Sequence, residues 1–348
     1  MNLSRFKLQR GLQISAAAIA IVALGSCNSF MHDELPACNP DYRVRLSYQY
    51  NMSRTELVNQ VEEAEVYAFD TEGRLISFVP PVDKATLQNN DYTISLKGLG
   101  LERLKDYHLV VWGGLTTESP FKLDGSRAFG SSGDITCRLT VDIDEEGNLY
   151  NDKKFPGLFH GTKVVNYSEY ENPEEYTCEL MKNTNVLDVT LRRTDNFTIG
   201  SKEFIVKVTD NNGVMSSENE VSGDETIHYL NQEAEPGEYA LPDGQGGYKD
   251  ETTNGAKTEV HLARIMENSE ARLIVISKED GTEILNAKLI DLIVAAKNYT
   301  HPDMDLQEYL DRMDRFTVDI TMDIDTYFMN LSIYVAGWAV MNYEVEWK

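Results

Sequence analysis

Basic residues are scarce in this 348-residue chain. Its 32 lysines and arginines stand against 57 aspartates and glutamates, for a formal net charge of −25. Such a field repels phosphate backbones and anionic headgroups, so no nucleic acid partner is expected and charge alone would not bring the chain to a membrane. Cysteine is rarer still, with Cys27, Cys38, Cys137 and Cys178 making up the whole set. None stands at Cys-x-x-Cys spacing, which removes the usual zinc and dithiol signatures. The six histidines (His32, His108, His160, His228, His261 and His301) never fall at metal-ligand spacing, and no His-Glu-x-x-His occurs.

Other catalytic signatures are missing too. There is no Gly-x-Ser-x-Gly elbow, Walker lysine motif or dinucleotide fingerprint. Gly130-Ser-Ser-Gly133 reads as a flexible turn, and Gly244-Gln-Gly-Gly247 has no helix after it to hold a phosphate. Asp142-Ile-Asp144-Glu-Glu146-Gly147 begins like a calcium loop, but the closing glutamate position holds Lys153, so an acidic hairpin turn is the plainer reading. No catalytic residue, cofactor or metal is expected.

Long apolar runs are also few, and the chain is organised around one of them. Residues 14–27 read Ile-Ser-Ala-Ala-Ala-Ile-Ala-Ile-Val-Ala-Leu-Gly-Ser-Cys, preceded by Arg5, Lys7 and Arg10 with no acidic residue. The apolar core of about 10 residues is half of what spans a bilayer, so a secretory signal over 1–26 is expected. Its last four residues, Leu24-Gly25-Ser26-Cys27, resemble a bacterial lipobox. Cleavage is then expected between Ser26 and Cys27, with lipid on the Cys27 thiol. Removing the signal takes three basic groups and no acid, leaving the mature chain three charges more negative. Attachment must come from acyl chains, and a lipoprotein carries enough of them to hold.

Residues 27–41 form a polar tether. Asn28, where an aspartate would favour retention at an inner membrane, and the pair Asp33-Glu34 point to the outer membrane and its exposed face. With Cys27 acylated, Cys38, Cys137 and Cys178 allow one bridge at most. Three pairings and simple buried thiols all stay open.

Past the tether, Val44, Leu46, Tyr48 and Tyr50 alternate with Arg43, Arg45, Ser47 and Gln49, the period of a half-buried strand. A helical turn is expected within Thr55–Val61. A hairpin runs through Glu65–Asp70, Gly73 and Arg74–Val79. Strands follow at Tyr92–Leu96, Tyr107–Trp112, Ile135–Ile143 and Thr162–Val165. A second series occupies Val186–Arg192, Glu203–Thr209, Thr258–Leu262 and Ala271–Ser277. Residues 210–257 between them are rich in Gly, Asn, Asp and Glu and read as a long, partly ordered excursion. Leu285, Leu289, Leu292 and Ala296 repeat at helical spacing, and Pro302-Asp303 opens a short helix with Leu306, Leu310 and Met313 on one face. Phe316–Ile324, Met329–Val335 and Val340–Trp347 close the chain as strands. The pattern predicts an all-β fold with one or two short helices, as β-sandwich domains at 42–184 and 185–348. Trp112, Trp338 and Trp347 sit at strand spacing, where aromatics are core or cross-strand partners more often than ligand platforms.

Several stretches in order carry a family resemblance. Asp33-Glu-Leu-Pro-Ala-Cys38, Val44-Arg-Leu-Ser-Tyr48, Asn51-Met52, Val66-Tyr-Ala-Phe-Asp70 and Gly73 open it. Tyr107-His-Leu-Val-Val-Trp112-Gly-Gly114, Leu158-Phe-His-Gly161, Glu308-Tyr-Leu-Asp-Arg312 and Ile333-Tyr-Val-Ala-Gly-Trp338 continue it. Together they resemble the fimbrial anchor-subunit lipoproteins, the FimB-like family of type V pili. The resemblance implies two transthyretin-like Greek-key sandwiches on an outer-membrane lipid anchor at the base of a fimbria. It also implies partnership with fimbrial shaft (pilin) subunits through strand addition, with roles in assembly and length control. Ala339, after Trp338, departs from the basic or polar residue expected there. The alternatives are a surface lipoprotein that binds glycan or host protein, and a tip or stalk adhesin of the same fold.

Overall fold

The computed structural model describes residues 42–53, 56–57, 60–102, 105–124, 135–166, 175–195, 197–223, 225–324 and 328–346. The signal over 1–26, Ser26, Cys27, the tether with Cys38, Gly130-Ser-Ser-Gly133 and Trp347 lie outside the described residues. The chain divides into Met1–Asp41 and Tyr42–Lys348, and the described residues belong to the second unit.

The first strands are β1 (Arg43–Ser47), β2 (Glu63–Phe69), β3 (Leu75–Asp83), β4 (Thr93–Ser95) and β5 (Asp106–Gly113). Next come β6 (Phe121–Asp124), β7 (Thr136–Leu139), β8 (Asp142–Ile143), β9 (Leu149–Asn151) and β10 (Phe159–Asn166). Then follow β11 (Glu175–Glu179), β12 (Met181–Lys182), β13 (Thr184–Arg193), β14 (Phe204–Asp210) and β15 (Val214–Ser216). After these run β16 (Val221–Ser222), β17 (Ile227–Leu230), β18 (Glu235–Pro242), β19 (Tyr248–Ala263), β20 (Arg272–Ser277) and β21 (Glu283–Lys288). The last are β22 (Arg315–Ile324), β23 (Phe328–Val335) and β24 (Trp338–Glu346). Among the described residues three helices accompany them: α1 (Lys84–Asn89), α2 (Leu289–Thr300) and α3 (Leu306–Arg312). The chain is all-β with short helices, as the sequence pattern predicts.

Two hydrophobic cores organise the sheets. In the first, the sheet β11-β1-β4 covers one face of the sheet β12-β10-β5-β2-β3. Val66 and Ala68 of β2 and Leu109 and Val111 of β5 fill this core, while the alternate residues Tyr67, Phe69, Val110 and Trp112 enter the second. Both faces of these central strands are therefore dry, which explains their near-continuous apolar sequence. The second core lies between the sheets β18-β19-β13-β22-β23-β24 and β21-β20-β14-β17-β9-β8, with apolar residues of α2 and α3 at its margin. The small sheet β16-β15-β7-β6 completes it, and Phe121, Cys137, Leu139 and Met215 from that sheet are buried there. Two sheets thus draw strands from both sides of residue 184: β15 pairs with β7, and β17 with β9.

Some local expectations need correction. The strand expected over Ile135–Ile143 breaks after Leu139, because β7 and β8 belong to different sheets. Leu285 lies in β21 rather than in a helix; α2 starts at Leu289, and the shared apolar spacing hides the boundary. The short helix opens at Asp305, whose carboxylate accepts the Glu308 amide at 3.1 Å, not at Pro302-Asp303. Helix α1 is an addition to the expected elements, and Asp83 caps it by accepting the Thr86 amide at 2.8 Å. Of the turn expected within Thr55–Val61, the described part is present: Gln60 and Val61 donate to the Leu57 carbonyl at 3.0 and 3.1 Å.

The largest correction concerns residues 210–257. They hold β15, β16, β17, β18 and the first half of β19, not an irregular excursion. Some of their Gly, Asn and Asp residues mark turns between strands, as Asn211-Asn212-Gly213 does, and others lie within β18 and β19. The β18–β19 hairpin is polar because it packs on a polar face, where Arg192 donates to the Ala240 carbonyl at 2.8 Å and the Tyr248 hydroxyl to Asp319 at 2.8 Å. Its tip crosses the outer face of the sheet to reach Trp338, which bridges to Gly244 and Gln245.

Candidate functional site

No site built on titratable chemistry gathers from the residues considered in the sequence. Among the described residues, no group of three or more His, Cys, Asp or Glu is placed to hold a metal ion. His108 lies 3.5 Å from Glu218, and His261 lies 3.4 Å from Glu259. Cys137 and Cys178 are free, buried thiols in the second and first core respectively. Burial pushes both upward, Cys178 to about 12. Asp144 is consumed by its own hairpin, accepting the amides of Glu146 at 2.9 Å and Asn148 at 2.8 Å.

The features able to engage a partner are strand edges. Where a sheet ends, a row of unpaired backbone N–H and C=O groups can add another strand, unless proline, shortness or charge blunts it. Edge strand β3 contains Pro80 and Pro81, and β18 contains Pro236 and Pro242. Edge strands β8, β12 and β16 have two residues each, and β4 has three. Edge strands β6, β11 and β21 lack proline but have only four, five and six residues, and β24, also without proline, is the longest of these with nine. Its first residue is bridged by the hairpin tip; from Val340 onward, no strand among the described residues pairs with its outer side.

Register shows what that edge leaves uncovered. Leu331 of β23 faces Tyr343 of β24, and Ile333 faces Met341. Directly opposed residues share a sheet face. Leu331 is 1 % exposed, while Tyr343 is 49 % exposed. The apolar face is finished at β23 and open at β24. A cavity of about 280 Å³ lies at the same place, lined by Asn330, Leu331, Ser332, Asn342, Tyr343 and Glu344.

The start of β24 is fixed firmly. Ala336 and Gly337 take positive φ angles of 48° and 77°, giving the tight turn whose twist suits a two-residue hairpin. The Trp338 ring stacks on Tyr299 of α2 at 4.5 Å with an interplanar angle of 3°. On its other side a Cβ on Gly246 would fall 2.5 Å from the indole, so only glycine lets the hairpin tip lie there. Trp338 is thus a cross-strand clamp, and Trp112 is a fully buried core residue.

A second, shorter edge lies beside β1, which pairs with β4 only over Arg43–Arg45. Beyond it opens a groove of about 840 Å³ whose lining includes Ser47, Tyr48, Leu57, Asp91 and Tyr92. Arg45 spans its rim, 2.8 Å from Asp91 and 2.7 Å from Glu175. The open length of β1 is brief, so β24 offers the longer ladder.

One buried titratable group sets a pH response. His160, next to Trp112 at 4.6 Å, places Nε2 2.8 Å from the Ser217 carbonyl oxygen. Burial lowers its pKa from 6.5 to about 4, against the Ser217 hydrogen bond and with small help from Arg264 and His108. The unfolded chain therefore binds a proton at this residue between those values and the folded chain does not. This contribution is whole above pH 6.5 and is lost, by roughly 3 kcal/mol, as pH falls toward 4. Urea unfolding from pH 7 to 4 should show a shallower loss of stability in His160→Gln than in the parent. Equal slopes would contradict this assignment.

The family model for fimbrillin-A associated anchor proteins Mfa1 and Mfa2 matches residues 35–344. A search of curated proteins gives no significant match. Among solved structures, a candidate adhesin from Bacteroides thetaiotaomicron is similar with a TM-score of 0.71 and 25% identity, covering 88% of this chain and 99% of that one. A candidate polysaccharide-binding protein from the same species gives 0.67 and 18%, covering 88% and 98%. The fimbrial anchor protein Mfa2 from Porphyromonas gingivalis gives 0.62 and 17%, covering 88% and 100%.

Proposed function

The chain belongs to the fimbrillin-A associated anchor family, and from that premise we propose that it is an outer-membrane lipoprotein holding a fimbria at its base. In this reading, processing between Ser26 and Cys27 leaves lipid on Cys27, residues 27–41 form the tether, and the β-sandwiches carry the fibre. The shaft (pilin) subunit docks by strand addition, and that contact supports assembly and limits fibre length. The observation that carries the docking step is the open apolar face at β24, where Tyr343 is half exposed beside the buried Leu331. A strand added there would gain a ladder of main-chain hydrogen bonds and cover that face.

The test is Tyr343→Lys, which puts a charge on the inner face of the edge without touching the finished core. Affinity for a purified shaft subunit should fall by roughly tenfold or more, about 1.4 kcal/mol, while the unfolding midpoint stays put. Unchanged affinity would remove β24 as the docking edge.

A second reading is favoured by the 25% identical candidate adhesin, which spans the same length. In it the chain is a tip or stalk adhesin, or a surface lipoprotein binding glycan or host protein, with exposed Tyr248, Tyr299 and Phe197 as contact residues. Immunogold labelling separates the two, since label at the fibre tip favours the adhesin and label at the base favours the anchor.

A further inference from the structure

Strand β14 ends on Asp210, which begins the turn Asp210-Asn211-Asn212-Gly213. The residue is 6 % exposed. Its Oδ1 accepts the Ser269 hydroxyl at 2.7 Å and the Asn211 amide at 2.8 Å. Its Oδ2 is buried and has no hydrogen-bond partner among the described residues. The carboxylate lines a cavity of about 190 Å³, together with Asn211, Ser222, Gly223, Asn268 and Ser269. Among the described residues, no lysine, arginine or histidine lines it.

A buried carboxylate with neither a cation nor a full set of donors is costly, so the group must take up a proton or a positive ion. Burial does press this carboxyl toward its neutral form, against the Ser269 and Asn211 hydrogen bonds. The lining suits a hard cation. It offers hydroxyl, amide and main-chain oxygens and no imidazole or thiolate. Glycine at 223 also brings a second backbone segment close, since a Cβ there would lie 2.8 Å from the Asn211 carbonyl oxygen. Neighbouring side chains that are already committed, such as Asn212, pin the floor: its Nδ2 donates to the carbonyls of Ala263 at 3.2 Å and Arg264 at 2.9 Å.

We propose that the cavity at the end of β14 binds a hard divalent cation, calcium in preference to magnesium, with the Asp210 carboxylate as its charged ligand. Calcium accepts six to eight oxygens in irregular array, whereas magnesium demands a near-octahedral set and keeps its water. The site is separate from Asp142–Gly147, where Asp144 is spent on its own turn and Asp142 pairs with Lys153 at 3.2 Å. A cation here would tie together the end of β14, the 266–269 turn and the 221–223 segment, three pieces far apart in sequence.

Calorimetric titration of the mature protein with calcium chloride, after treatment with chelator, tests this. One saturable site is expected, with a Tm rise of roughly 5 °C at a hundredfold excess over Kd. Asp210→Asn should abolish both effects. Asn268→Ala, at the exposed mouth and thus harmless to the fold, should weaken binding by roughly tenfold, which keeps the test decisive if the first variant folds poorly. No saturable binding up to about 10 mM calcium, beyond the weakest ordinary protein sites, overturns the proposal. So does Asp210→Asn binding as tightly as the parent. Magnesium binding as tightly as calcium overturns the stated preference. A more stable Asp210→Asn variant, in a parent indifferent to calcium, would show a neutral acid there instead.

Discussion

Asp319→Ala is expected to destabilise the folded chain by about 3–5 kcal/mol, the loss typical of a buried ion pair broken from one side. Asp319 Oδ1 accepts Arg192 Nη1 at 2.6 Å, and the two side chains are 1 % and 2 % exposed. Asp319 Oδ2 accepts the Tyr248 hydroxyl at 2.8 Å, and Arg192 Nη2 donates to the Ala240 carbonyl at 2.8 Å. Burial, with the Asp319 carboxylate beside it, pushes the Tyr248 phenol well up, so it stays a donor at any physiological pH. Truncating Asp319 leaves a guanidinium with its charge uncompensated inside the sheet. Arg192 Nε already lacks a partner among the described residues, so the truncation adds a second unpaired donor to the same buried guanidinium. By contrast, Arg45 with Asp91 and Glu175 is solvent-exposed, and breaking it should leave stability close to that of the parent.

Two further readouts separate charge from packing in that experiment. Arg192→Leu combined with Asp319→Leu should be less harmful than Asp319→Ala alone, because no orphaned charge remains. The β18–β19 hairpin should also loosen, since Ala240 and Tyr248 are its ties to the sheet. Proteolytic cleavage near Asp243–Gly247 would then appear in Asp319→Ala under conditions that spare the parent. An unfolding free energy from urea titration within about 0.5 kcal/mol of the parent, with no new cleavage, would mean that the pair holds neither the sheet nor the hairpin.

That hairpin also shows where sequence reading stops. Local pattern is enough to find β2, β3, β5, β13, β14, β20, β22 and β23, because each carries an apolar face that repeats every second residue or, in β2 and β5, a near-continuous apolar run. It fails at residues 210–257, where β15, β16 and β17 are too short to show a repeat and the β18–β19 hairpin meets Arg192 and Asp319 rather than a hydrophobic core. The two charged residues belong to strands more than 120 positions apart, at 192 and 319, so their pairing leaves no local mark. The same limit hides the open edge. Val340, Met341 and Tyr343 look like any strand, and only the order of the sheet shows that no described strand lies beside them. The family motifs, by contrast, are legible because they are packing sites. Trp112 meets His160 in the dry centre, and Arg312 lies over the Tyr50 ring at 5.1 Å while its carbonyl accepts the Met52 amide at 2.8 Å.

Cys27→Ala is expected to move the protein, and every fibre standing on it, from the membrane fraction to the medium. Among the described residues, no helix is long and apolar enough to cross a membrane. The net charge of −25 opposes attraction to anionic lipid. Each buried methylene of an acyl chain contributes about 0.8 kcal/mol, and one chain alone holds only marginally, so the proposed attachment would rest on the several chains that a lipidated Cys27 would carry. Because the substitution also blocks processing after Ser26, it should be paired with a second form. In that form an ordinary cleaved secretory signal replaces the first 26 residues, ahead of a mature chain that carries the same Cys27→Ala change. Radiolabelled palmitate should enter the parent and neither variant. Retention of the cleaved, unlabelled form in the membrane fraction would refute lipid as the attachment. Release of that form with fibres still cell-bound and of normal length would leave the lipid in place and refute the anchor, because the shaft would then be held by something else.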